Sequence, residues 1–175
     1  MPPRSPEDRA TELLREAGVN GVLPVPVDQL ATFLGVRVVL QRMDSHLSGM
    51  TYRQGEEKVV GVNSNHHARR RRFTLAHELG HVRMHPGRPL LVDSSIRVDF
   101  RDSVSSLATD REEIEANRFA AELLMPAPLV IERMRTLTNS GVRGRDRVVN
   151  DLANTFDVSA EAMGYRLINL GLTTA

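Results

Sequence analysis

In the stretch RRFTLAHELGHVRMHP, residues 71 to 86, two histidines stand four positions apart around a glutamate. On a helix, His77 and His81 share one face and lie about 6 Å apart along the axis, within reach of a single tetrahedral metal ion. Glu78 falls on the shoulder of that face, close enough to polarise a water at the metal and badly placed to be a third ligand. Such a set could cut an amide bond by metal-assisted hydrolysis. The five letters are short enough to arise by chance, so the surrounding chain must supply the rest of a site.

The chain has no cysteine, which removes thiolate ligands, disulfides and a cysteine nucleophile together, and any metal must be held by His, Asp or Glu. A lone histidine is most simply a hydrogen-bonded core imidazole. Two of them around a glutamate reverse that preference, because the alternative buries a carboxylate without a partner at a cost on the order of several kcal/mol. His85 continues the face but lies about 12 Å along the axis from His77, too far for all three to share one ion. A third ligand must come from elsewhere.

The segment TDREEIEANRFAAELLMP, residues 109 to 126, carries Glu112, Glu113, Glu115 and Glu122 on an expected helix. Stepping about 100° per residue puts Glu113 near the centre of a broad apolar arc, with Asn117 one turn on. Glu112 lies at the edge of the arc and is the competing position. Arg118, Glu115 and Glu122 fall on the opposite side, where water satisfies them. A carboxylate at the centre of a core-facing arc needs a cation or a proton; a metal ion answers that need, and a buried arginine is the alternative.

The elements that must position these residues are legible from caps and periodicity. Ser5-Pro6-Glu7-Asp8 opens a first helix that Gly18 stops, and a short helix from Asp28 to Phe33 ends near Gly35. Strand patterns follow at 36 to 41, 47 to 53 and 58 to 63, the last two joined by a Gly-containing hairpin, so a small antiparallel sheet is expected. The last of these strands could accept an extended substrate by edge pairing. One long helix spans about 65 to 85, with an arc around Arg72, Ala76 and Arg83 turned to solvent and a run of four arginines, 69 to 72, in its solvated first turns. Residues 86 to 108 are polar and read mostly as loop. Four helices complete the chain, at about 109 to 125, 126 to 137, 146 to 156 and 160 to 170, the last capped by Ser159 and stopped by Gly171.

At 175 residues the chain fits a single α+β domain, with a core over 24 to 137 and a helical C-terminal subdomain over 142 to 172 that is helix-turn-helix-like in outline. Lys+Arg 23 against Asp+Glu 22 leaves a net charge of +1, so no global field draws it to nucleic acid or to an anionic membrane. The amino terminus has no apolar leader and no stretch is long enough to span a bilayer, which predicts a cytoplasmic protein. The last helix begins Ala-Glu-Ala-Met and has Arg166 as its only base, a poor start for reading base edges. No specific nucleic-acid binding is expected.

RRFTLAHELGH with the trailing His85, EIEANRFAAELLMP and VSAEAMGYRLINLGL together resemble the ImmA/IrrE-like metallopeptidases of bacteria and their mobile elements, with weaker similarity in PVPVDQLATFLGV and VVGVNSN. The resemblance implies a zincin-like fold, a small sheet packed on the active-site helix, and a third ligand three residues before the Ala-Asn pair, which is Glu113. It implies a zinc-dependent endopeptidase that cleaves or inactivates a partner helix-turn-helix repressor, releasing stress-response or mobile-element genes. The chain is similar to the short stand-alone form of that family. On this reading His77, His81 and Glu113 hold Zn2+, Glu78 is the general base and Asn117 orients a ligand from behind. Five residues compete to stabilise the oxyanion: His66, His67, His85, Tyr52 and Tyr165. The rival readings are a metal-stabilised interaction protein that does not cut, and a DNA-binding regulator.

Overall fold

A computed structural model describes residues 4–86, 90–93 and 107–172, with the backbone alone at 90–93 and 107–110. Helices α1 (Pro6–Glu16) and α2 (Val27–Phe33) precede strands β1 (Val36–Gln41), β2 (Gly49–Gln54) and β3 (Glu57–Asn63). Helix α3 (Ala68–Met84) follows, then strand β4 (Leu90–Asp93) and helices α4 (Leu107–Leu124), α5 (Ala127–Asn139), α6 (Arg145–Phe156) and α7 (Ala160–Asn169). The caps act as the sequence predicts. Ser5 and Asp8 form a reciprocal capping box on α1, and the Ser159 hydroxyl accepts from the Ala162 amide on α7.

The sheet is mixed, where an antiparallel one is expected. Its order is β1-β3-β2-β4, with β1 parallel to β3 and β2 antiparallel to both β3 and β4. The connection after β1 carries β2 past the neighbouring slot, and the tight turn at Gly55 (φ +59°) folds β3 back into it. Asn63 fixes that connection, its side-chain amide donating to the carbonyls of Met43, Asp44 and Leu47. Strand β3 therefore lies inside the sheet with both edges paired, and it cannot take a substrate by edge pairing. Within the stretch read as loop, residues 90–93 form β4, while 87–89 and 94–106 lie outside the described residues. Among the described strands the sheet edges are β1 and β4.

Helix α3 runs through the middle of the molecule. Thr74 to His81 are all buried, including Ala76, which the helical pattern assigns to solvent. The reason is that α3 is covered on several sides, by α4, by the sheet and by α1 and α2. The arginine run is exposed at Arg70 but is not left wholly to water. Arg69 donates to Asp157 and Asn154, Arg72 donates to the carbonyls of Asp157 and Val25, and Arg70 donates to the buried Ser48 hydroxyl. These bonds tie the start of α3 to the α6–α7 turn and to the sheet. Leu152, Phe156, Met163 and Leu167 of α6 and α7 join the common core.

Candidate metal centre

The α3–α4 contact decides the site. At Gly80 an added Cβ would meet Phe119 Cδ1 at 3.1 Å and Ala116 Cα at 3.3 Å, so a glycine is what lets the two helices approach this closely. The approach brings Glu113 onto the histidine pair. His77 Nε2 and His81 Nε2 lie 3.0 Å apart, and the Glu113 carboxylate oxygens lie 3.1 Å from His77 Nε2 and 3.2 Å from His81 Nε2. The carboxylate that joins the imidazoles is therefore Glu113's, not Glu112's.

The outer ring nitrogens fix what the inner ones offer. His77 Nδ1 is 3.1 Å from Asn117 Oδ1, an acceptor in this orientation of the amide, which favours the ring hydrogen on Nδ1 and a lone pair on Nε2. His81 Nδ1 is likewise engaged, 3.2 Å from His85 Nδ1. Two imidazole lone pairs and a carboxylate then converge at contact distance, an arrangement only a cation holds together. Burial pushes the His81 imidazole below its ordinary value, with the neighbouring rings of His77 and His85 adding to the effect and Glu113 opposing it, which makes a proton a poor cation for this place. Burial by itself would raise the Glu113 carboxyl, but the His77 and His81 rings set against it overcome that and hold the group well below the usual carboxylate range. The donor set is one that could hold a divalent metal ion, and its spacing fits a tetrahedral one. A tetrahedral ion with arms of about 2.0–2.1 Å needs ligand atoms about 3.3 Å apart.

Glu78 is buried at 1% exposure, and its carboxylate is received by β2. The Thr51 hydroxyl donates to Glu78 Oε2 at 2.5 Å. A Cβ on Gly49 would lie 2.7 Å from Thr74 Cγ2 and 2.9 Å from Glu78 Oε1, so no other residue leaves room there without displacing α3. Arg53, next on the same strand face, donates to the carbonyls of His81 and His85 at 2.6 Å each and closes the C-terminal end of α3. Gly49, Thr51 and Arg53 alternate along one face of β2. Sequence reasoning missed all three. The available signal was a polar, glycine-containing inward face on a strand just before a metal-binding pattern.

The five oxyanion candidates are dispersed. Tyr52 points to the sheet face opposite Thr51 and Arg53, with its hydroxyl on Gln54. His67 caps the far end of α3, and His66 lies against the Ser45 carbonyl. Both ring nitrogens of His85 are engaged, and Tyr165 lines a groove between α6 and α7. Glu115 and Glu122, expected to face water, do otherwise. Glu115 accepts from His85 and Arg111, while Glu122 is 5% exposed and ion-paired with Arg166.

Helix, sheet and the carboxylate from a later helix together make the layout of a zincin-like metallopeptidase domain. The IrrE N-terminal-like domain of peptidase family M78 matches residues 31–168, and the chain belongs to that family. It is 28% identical over 132 residues to an uncharacterized immunity region protein 2 of Bacillus phage phi105, covering 75% of this chain and 78% of the phage protein. It is 33% identical over 113 residues to the radiation response metalloprotease IrrE of Deinococcus radiodurans, and 36% identical over 113 residues to that of Deinococcus deserti. Each match covers 64% of this chain, but only 31% and 36% of the two Deinococcus proteins.

Proposed function

We propose that the chain is a cytoplasmic zinc-dependent endopeptidase that cleaves or inactivates a helix-turn-helix transcriptional repressor, relieving repression of stress-response or mobile-element genes. The observation that carries the reading is the convergence of His77, His81 and Glu113 beside a buried Glu78. The names of the relatives support it, one from a phage immunity region and two of them radiation response metalloproteases. No helix among the described residues is long and apolar enough to cross a membrane.

Bound by the three ligands, zinc would supply Lewis acidity toward the scissile carbonyl and lower the pKa of water to about 7. Glu78 takes the proton of the attacking water and passes it to the leaving amine. Thr51 holds one carboxylate oxygen, which fixes the direction of the other. Asn117 keeps the His77 lone pair inward. An extended peptide could pair with the edge of β4, the strand beside β2.

The regulator reading loses its one base, since Arg166 is 7% exposed and spent on Glu122 and the Met125 carbonyl. The test is to incubate the purified protein and zinc with purified helix-turn-helix repressors of its own cell, followed by gel and mass spectrometry. Wild type cuts, and Glu78→Gln retains zinc while cleavage falls about 10²–10⁴-fold. Binding without cutting by wild type selects the interaction-protein reading, and a footprint on its own promoter selects the regulator.

A further inference from the structure

His77 and His81 on α3 and His85 at its C-cap form a stripe at four-residue spacing, and only the first two face Glu113. The third is not idle. His85 Nε2 is 3.0 Å from Glu115 Oε2, and His85 Nδ1 is 3.2 Å from His81 Nδ1. The other Glu115 oxygen accepts from Arg111 Nε at 2.9 Å. The His85 side chain is 9% exposed, so water competes little for these bonds. With the His85 ring on one oxygen and the Arg111 guanidinium on the other, the Glu115 carboxylate is placed as an acceptor for both.

From that fixed acceptor the protons follow in order. A carboxylate can only accept, so His85 Nε2 must carry the ring hydrogen. With that hydrogen on Nε2, the Nδ1 of His85 is the ring atom that can accept, which places the hydrogen between the two rings on His81 Nδ1. His81 Nε2 is left with its lone pair, and it is the atom that faces His77 and Glu113. His77 has a weaker guarantee, because the Asn117 amide can turn and offer a donor instead.

We propose that Glu115 and His85 act as a relay that sets the tautomer and orientation of His81, making both positioning residues for metal binding. The relay rests on the zinc reading above, and partners of this kind behind a metal-bound histidine usually change metal affinity by about 10–100-fold.

The test uses the full chain, with zinc affinity from competition against a chromophoric chelator and the His81 tautomer from imidazole nitrogen NMR. Folding is read separately as the melting temperature in EDTA. His85→Phe keeps a ring but offers no acceptor, and zinc binding weakens about 10–100-fold. His85→Asn places Oδ1 where Nδ1 stood and restores affinity to within a few-fold of wild type. Glu115→Gln lets the amide donate, and the NMR signal of His81 shifts toward a mixture of tautomers. The relay is overturned if wild type binds zinc and His85→Phe binds as tightly, or if His85→Asn is as weak as His85→Phe at equal melting temperature. Wild type that binds no zinc overturns the peptidase reading instead.

Discussion

Glu113 and Glu122 sit about two and a half turns apart on α4, and the fold treats them in opposite ways. The Glu113 side chain is 36% exposed and faces two imidazoles whose lone pairs point at it. The Glu122 side chain is 7% exposed and faces a guanidinium that satisfies it. Glu122 also accepts from the Ala127 amide at the start of α5, and Arg166 donates to the Met125 carbonyl at the end of α4, so the pair knots the α4–α5 corner to α7. Burial alone would have chosen the wrong carboxylate as functional. What separates them is the partner: a fixed cation closes the account at Glu122, whereas lone pairs at Glu113 leave it open for an ion.

The largest expected effect lies at the structural end. Arg166→Ala leaves Glu122 buried without its cation and should destabilise the protein by about 3–5 kcal/mol in denaturant unfolding. Replacing both partners, Glu122→Leu with Arg166→Met, should recover most of that loss; a double variant as unstable as the single one would mean the corner needs the charges themselves. At the metal end the outcome reverses. Glu113→Gln should lose zinc in a chelator titration while the melting temperature in EDTA changes little, and equal loss in both assays would erase the contrast between the two carboxylates.

A smaller effect is expected from Gly49→Ala, which crowds Glu78 and Thr74 and should cost about 1–3 kcal/mol by overpacking. Zinc content should hold while cleavage drops, since no ligand touches Gly49. The smallest effect is with pH. His81 is depressed below 6.5 and Glu113 below 4.5 in the folded state, so the unfolded chain binds more protons and the metal-free protein gains stability as pH rises through this window. That stability is lost as pH falls through the depressed values; a stability flat from pH 7 to 4 would deny the His81 shift, and one flat below pH 4 would deny that of Glu113.

Local features were legible in the sequence and remote ones were not. Ser5, Ser159, Gly35 and Gly171 mark helix ends through bonds to near neighbours, and His77, Glu78 and His81 share one turn, so helical spacing alone places them together. Glu113 needed both the helical wheel and the family resemblance. The parallel β1–β3 pairing, the burial of Ala76 and the Arg166–Glu122 pair arise only when distant segments meet. Thr51 and Gly49 escaped notice for the same reason, since an alternating strand does not say which helix it will face.

The glycine at position 80 ties two inheritances together. The distance it permits between α3 and α4 is also the distance across which Glu113 must reach the imidazoles, so core and site share one dimension. A bulkier residue at Ala116 or Gly80 would be judged twice, once by the packing and once by the ligand geometry. Strong epistasis should therefore link Gly80, Ala116 and Phe119 to Glu113, although none of the three touches an ion, and substitutions there should be tolerated in compensating pairs before they are tolerated singly.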